Sequence, residues 1–144
     1  DLGYIKRDKN LKIAYVFQED RLISSISAIE NISIVIKENK VCNAKSWLNT
    51  VNFDGDYKIP VCFLSGGLKR KVSIARALAY EADILLLDEP FNSIDKQSEE
   101  KIIKFLKIFK KEKLIVLVTH NDEEAKCLAD KIYYLQGFPL KFSL

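Results

Sequence analysis

Four side chains able to do chemistry each follow a short apolar run. Gln18 follows KIAYVF, Asp88 and Glu89 follow ILLL, and His120, the only histidine, follows LIVLVT. If those runs are buried parallel strands, the four converge on one edge, because open parallel sheets bind ligands outside the carboxyl ends of their strands. Each has a structural explanation when taken singly. A Gln or His at a strand end is often a satisfied turn residue, and a carboxylate pair after a strand is often a helix cap. It is their joint occurrence at three strand ends that points to a site. An Asp closing an apolar strand can position a hydrated Mg²⁺, and the Glu after it can polarise a water molecule.

A second constellation lies at Leu64-Ser65-Gly66-Gly67-Leu68-Lys69-Arg70-Lys71. Ser65 can cap a helix that opens with two glycines. Without side chains there, backbone N–H groups can approach an anion closely, and the helix dipole favours negative charge. An ordinary Ser-capped helix would look the same. The phosphate reading gains weight because the Asp88-Glu89 strand follows at once.

The elements that must position these groups are legible from pattern. Lys12–Phe17, Ile84–Leu87 and Leu114–Val118 are continuous aliphatic runs, the pattern of a parallel sheet covered on both faces. Lys131–Leu135 reads as a later strand near an edge. Ser27 with Glu30 forms a capping box ahead of a helix reaching about Ile36. Further helices are expected over Asn43–Val51, Ser65–Tyr80, Lys96–Lys111 and Asp122–Ala129, the last capped by Asn121 or Asp122. In the helix after Ser65, Leu68, Val72, Ala75, Leu78 and Ala79 form one apolar stripe. Strands alternating with helices mean an α/β fold. Residues 19–81, purely helical, read as a helical subdomain inserted into the α/β core.

The chain has 144 residues, of which 48% are apolar and 30% charged, enough to bury a core without disulfides. Its net charge of +3 gives no footprint of a nucleic-acid binder. Cys42, Cys62 and Cys127 are scattered, which suits a reducing compartment and argues against a disulfide framework or a zinc site. No apolar run approaches the ~18–20 residues that cross a bilayer, and no signal peptide is visible. There is no Met, so either the N-terminus was processed or the chain is part of a longer one.

Five segments in order resemble the motifs of ATP-binding cassette (ABC) transporter ATPases. YVFQED resembles the Q-loop, LSGGLKRKVSIARAL the signature and its helix, ILLLDEP the Walker B strand with the catalytic Glu, FNSID the D-loop, and VTHNDEEAKCLAD the switch His and its helix. The style of YVFQEDRLI, DEPFNSID and VTHNDEEA is similar to the importers for nitrate, sulfonates and taurine. The resemblance implies a partial P-loop NTPase fold, α/β with a mostly parallel sheet and an inserted helical subdomain. Residues 1–144 would form the C-terminal part of one ATPase domain. Within it, 1–18 and 82–144 would be the core, and 19–81 the helical subdomain with the signature.

The resemblance also implies roles. Ser65, Gly66 and Gly67 would hold the γ-phosphate of ATP bound on the opposite subunit. Glu89 would orient or deprotonate the attacking water, and His120 would contact the γ-phosphate. Asp88 would position Mg²⁺, Gln18 would contribute to Mg²⁺ and sense the γ-phosphate, and Asp95 would link the two sites across a dimer. Implied cofactors are ATP and Mg²⁺. Implied partners are a transmembrane permease subunit and a second ATPase subunit, identical or not, with no nucleic acid. The implied location is cytoplasmic, on the inner face of the cell membrane.

There are departures. None of the five glycines, Gly3, Gly55, Gly66, Gly67 and Gly137, begins or ends a GxxxxGK[ST] phosphate loop. Leu68 stands where many members have Gln. The phosphate loop is therefore expected upstream of residue 1, and this chain alone is expected not to hydrolyse ATP. An open sheet face and self-association are expected too. The alternative is a non-catalytic module that lends its signature helix to a partner or docks on a membrane subunit. A DNA-repair or chromosome-maintenance ATPase is set aside, since only a compact helical segment separates Gln18 from Ser65.

Overall fold

The computed structural model describes residues 10–38, 40–136 and 141–143. The first nine positions of the expected core segment 1–18 lie outside the described residues. In chain order the elements are β1 (Ile13–Val16), α1 (Ala28–Ser33), α2 (Lys40–Thr50), a 3₁₀ turn (Val61–Phe63), α3 (Gly66–Ala79), β2 (Ile84–Asp88), α4 (Lys96–Phe109), β3 (Leu114–Val118), α5 (Asp122–Leu128), β4 (Tyr134–Gln136) and β5 (Lys141–Ser143).

The three aliphatic runs form one parallel sheet in the order β1-β2-β3. Its register aligns Ile13, Ile84 and Leu114, and advances to Val16, Leu87 and Leu117. All three strands therefore end together. The fourth expected strand departs from the reading as part of this series. KIYYL contributes only Tyr134 and Leu135 to β4, which pairs antiparallel with β5 in a separate two-stranded sheet. Only four residues separate Gln136 from Lys141 in sequence, too few for the crossover that parallel pairing needs.

Capping sets the helix starts. The Ser27 N–H donates to Glu30 Oε2 at 2.8 Å, and the Glu30 N–H donates back to Ser27 Oγ at 3.3 Å, completing the capping box. α1 then stops at Ser33, short of Ile36. The β-branched run Ile34-Val35-Ile36 tightens into i→i−3 bonds, Val35 N–H to Ile32 O and Ile36 N–H to Ser33 O. Asp95 caps α4 and Asn121 caps α5.

α3 is more deeply buried than one apolar stripe implies. Residues Arg70 to Ala75 and Ala77 to Ala79 are all buried. The helix packs against α1, α2 and β1 at once, so its flanks are enclosed as well as its apolar stripe. One continuous core runs from Ala14, Val16, Leu85 and Leu87 of the sheet through Val72, Ala75 and Leu78 of α3 to Ile102 and Leu106 of α4.

Among the described residues the sheet is covered on one face. Ala14, Val16, Leu85 and Leu87 are buried, while Ile13, Tyr15, Leu114, Val116 and Val118 on the other face are exposed. The aliphatic pattern anticipated two covered faces. Among the described residues the core helices all join the cluster on one side. Tyr15 and Phe17 stack on each other on the bare side, with ring centroids 3.9 Å apart. No helix among the described residues is long and apolar enough to cross a membrane.

An apolar sheet face of this extent drives association in water. Sedimentation velocity of the 144-residue chain is expected to show species that grow with concentration. The double substitution Leu114→Lys, Val116→Lys should shift it toward monomer without loss of helical circular dichroism. A single monomeric species for the unsubstituted chain at every concentration would refute this.

Candidate functional site

Strand pairing brings the acidic pair and the histidine together. Asp88 closes β2 opposite Val118. The Glu89 N–H then donates to Val118 O at 2.9 Å, extending the ladder by one bond. That bond delivers the residues after β3 to the Glu89 side chain. Glu89 Oε1 accepts from the His120 N–H at 2.9 Å and lies 2.8 Å from His120 Nδ1. An ionised carboxylate can only accept, so Nδ1 is the ring nitrogen placed to donate to it. Glu89 itself has φ 45°, a left-handed conformation that costs a non-glycine residue about 1–2 kcal/mol. The Val118 and His120 bonds hold it there, and the turn aims the carboxylate at the loop after β3.

The pair is asymmetric in exposure. The His120 side chain is 78% exposed, whereas that of Glu89 is 16% exposed. The hydrogen bond to Glu89, followed by that carboxylate's charge, raises the imidazole pKa above its ordinary value. The loop beyond β3 is held by Thr119 Oγ1 donating to Glu124 Oε2 at 2.7 Å and by Asn121 Nδ2 donating to Glu124 Oε1 at 3.0 Å.

Asp88 offers one carboxylate, with the Tyr15 hydroxyl 3.5 Å from its Oδ2. Among the described residues no three His, Cys, Asp or Glu side chains cluster as an all-protein metal cage. That donor set fits Mg²⁺, which keeps several waters and binds through one or two carboxylates plus substrate phosphates. Gln18 stands two residues beyond β1 at this same edge and is exposed. Its own carbonyl accepts from Arg70.

The glycine segment opens α3 and has two different glycines. Ser65 caps α3 by accepting from the Leu68 N–H at 3.4 Å. A Cβ on Gly66 would meet nothing within 4 Å. A Cβ on Gly67 would lie 2.4 Å from the Ser93 carbonyl oxygen. Gly66 thus leaves open space at the helix N-terminus, and Gly67 lets the chain pass the backbone of residue 93. Ser93 is itself left-handed, with φ 65°.

Asp95 is not brought to Glu89 and His120. It caps α4, accepting from the Ser98 N–H and the Ser98 hydroxyl, each at 2.8 Å, and pairs with Lys71 Nζ at 2.9 Å. The Lys71 hydrogen bond, then those from Ser98, hold its carboxyl well below the ordinary carboxylate range.

Two residues of structural weight here escape a reading by residue type, which assigns basic side chains to a solvated surface. Arg70 and Lys71 are 5% and 3% exposed. The available signal was their place at the start of a helix whose next residues, Val72 to Ala75, are all small or apolar apart from Ser73.

Comparison with known proteins agrees with these motifs. Residues 3–92 match the family described as ABC transporter. The taurine import ATP-binding protein TauB of Pelagibacter ubique is 36% identical over 132 residues, covering 86% of this chain and 50% of that protein. The aliphatic sulfonates import ATP-binding protein SsuB of Zymomonas mobilis is 36% identical over 137 residues, covering 93% of this chain and 57% of that one. The chain therefore spans about half the length of these curated relatives. The fold is shared with the ATP-binding cassette MJ0796, solved as a dimer in a post-hydrolysis state bound to ADP and Pi. The TM-score is 0.74 at 31% identity, over 81% of this chain and 55% of that one.

His120 is the sole histidine, so its ring protons are assignable by NMR without ambiguity. Its pKa should lie above the ordinary value of about 6.5 and fall back in Glu89→Gln. The sign follows from the raised value: the pair's contribution to stability is fully present below the unfolded-state pKa and is lost as pH rises through the folded one. An unchanged titration in Glu89→Gln would disprove the pairing. The glycines give a second test, by urea denaturation. Gly67→Ala should cost about 1–3 kcal/mol through the clash with Ser93, while Gly66→Ala should stay within about 1 kcal/mol of the parent. Equal costs would show that the approach of Ser93 is not what requires Gly67.

Proposed function

The chain belongs to the ABC transporter family, and from that membership we propose that it is part of an ATP-binding and ATP-hydrolysing subunit that powers solute import. The observation that carries this proposal is the Glu89–His120 pair at the carboxyl edge of a parallel sheet, held at 2.8 Å beside Asp88. A carboxylate that is sheltered, aimed and already hydrogen-bonded is suited to orient a water or take its proton. Glu89 has that role, and His120 contacts the γ-phosphate. Phosphoryl transfer leaves a protein little covalent chemistry to do, so placement and charge make up most of the catalysis.

Asp88 and Gln18 are the groups toward Mg²⁺. When bound, the ion neutralises charge on the phosphate oxygens. Ser65, Gly66 and Gly67 address the γ-phosphate of ATP on the opposite subunit, where the open space at Gly66 leaves room for an anion beside the helix N-terminus. Asp95 links the sites across a dimer while capping α4. Residues 1–144 are the C-terminal part of the ATPase domain, and 19–81 its helical subdomain. The partners are a second ATPase subunit and a transmembrane permease, and the location is the cytoplasmic face of the cell membrane. TauB and SsuB are import proteins by name, which supports an importer over an exporter.

One observation favours a second function. No GxxxxGK[ST] occurs in the 144 residues, so this chain does not itself carry the loop that grips the β- and γ-phosphates. A non-catalytic module lending its signature helix to a partner remains the alternative.

ATP hydrolysis by the product of the intact gene distinguishes them. Turnover is expected, with Glu89→Gln lowering kcat by about 100-fold or more. The 144-residue chain alone is expected to show no turnover. Hydrolysis that is indifferent to Glu89→Gln would refute the assignment of Glu89. Absence of both binding and turnover in the intact product would favour the module.

A further inference from the structure

Helix α3 directs cationic side chains at separate stretches of the chain. Arg70 donates through Nη1 to the Phe17 carbonyl and through Nη2 to the Gln18 carbonyl. Its Nη1 also lies 3.5 Å from Asp20 Oδ1. Lys71 donates to the Asn52 carbonyl at 3.0 Å and pairs with Asp95. Arg76 donates to the Arg21 carbonyl.

The Arg70 contacts have a geometric consequence. Successive carbonyls of an extended strand point to opposite sides. One guanidinium can take both only where the strand has ended and the chain has turned. The fork of Arg70 therefore marks the end of β1 and sets the direction in which the residue-18 backbone leaves it. A guanidinium presents its donors in a rigid plane, whereas an ammonium carries three rotatable donors on one nitrogen and does not fix the spacing of two carbonyls. Burial makes the arrangement obligatory, because a guanidinium 5% exposed must find protein acceptors in place of water.

We propose that Arg70 is a positioning residue for Gln18, making the placement of the Phe17–Asp20 segment follow the position of α3. The consequence rests on the nucleotide assignment above. The same helix begins at Ser65-Gly66-Gly67, which faces the opposite subunit's phosphate, and holds Gln18, which serves this chain's own. A displacement of α3 at one nucleotide is thereby carried to the residue that meets the other. Lys71 and Asp95 give the helix a second anchor, on the α4 side.

Two measurements test this. In the isotope-labelled 144-residue chain, scalar couplings across hydrogen bonds should connect the Arg70 Nη nitrogens to the carbonyl carbons of Phe17 and Gln18. A freely rotating Arg70 guanidinium with no such couplings would overturn the proposal, and no variant is needed to find out. In the product of the intact gene, Arg70→Lys should raise the Mg²⁺ concentration for half-maximal hydrolysis about threefold or more. The double variant Gln18→Ala, Arg70→Lys should behave like Gln18→Ala alone, within about twofold. A merely structural loss would multiply with that of Gln18→Ala, and multiplication would overturn the proposal. If the unsubstituted product hydrolyses no ATP, the nucleotide assignment falls, and the couplings alone decide whether Arg70 holds Gln18.

Discussion

Burying two cations in one helix is the constraint on which the rest of this structure depends. Arg70 and Lys71 lie within α3, enclosed by α1, α2 and β1. An unpaired buried charge is too costly to keep, so each must be met by acceptors. Those acceptors are mostly loop carbonyls and carboxylates: Phe17, Gln18, Asn52, Asp54 and Asp95. Satisfying the helix thus fixes three irregular segments that no ladder of backbone bonds would hold. Loops are ordinarily the mobile part of a fold. Here the loop after β1 and the loop before α4 are tied to its most buried helix.

The acidic edge obeys a different rule. It is organised by the sheet, because the common register of the strands ends them together and the Glu89–Val118 bond continues the pairing one step further. Left-handed Glu89 is a local cost accepted for direction, repaid by the His120 contacts. The two organising centres meet in the stretch from Asp88 to Asp95. It starts at the sheet edge, passes Gly67 at Ser93 and ends on Lys71. A displacement of the signature segment and one of the acidic edge thus act on the same eight residues.

The exposed sheet face and the deeply enclosed helix are two outcomes of one geometry. The core helices gather on one side of the three strands, so that side gains a continuous core and the other keeps Ile13, Tyr15, Leu114, Val116 and Val118 in water. Aliphatic runs of this kind are written for a sheet covered on both faces. The mismatch between strand composition and coverage in these residues is what makes association the expected behaviour of the chain.

Much of this was readable from residue order. The three parallel strands, the Ser27–Glu30 capping box, the Ser65 and Asn121 caps, and the gathering of Glu89 with His120 follow from short-range pattern. Apolar runs, cap residues and strand-end chemistry are local signals, and five motifs in sequence identify the family. Tertiary structure alone decided the rest. KIYYL became half of a separate hairpin because its partner strand lies a few residues away, and periodicity does not specify partners. Arg70 and Lys71 became buried tethers because their acceptors are 53 and 24 residues distant, at Phe17 and Asp95. Gly67 acquired its requirement from a carbonyl 26 residues further on. A residue's type states which bonds it can make; only the packed chain, by removing water, states which it must make and with whom.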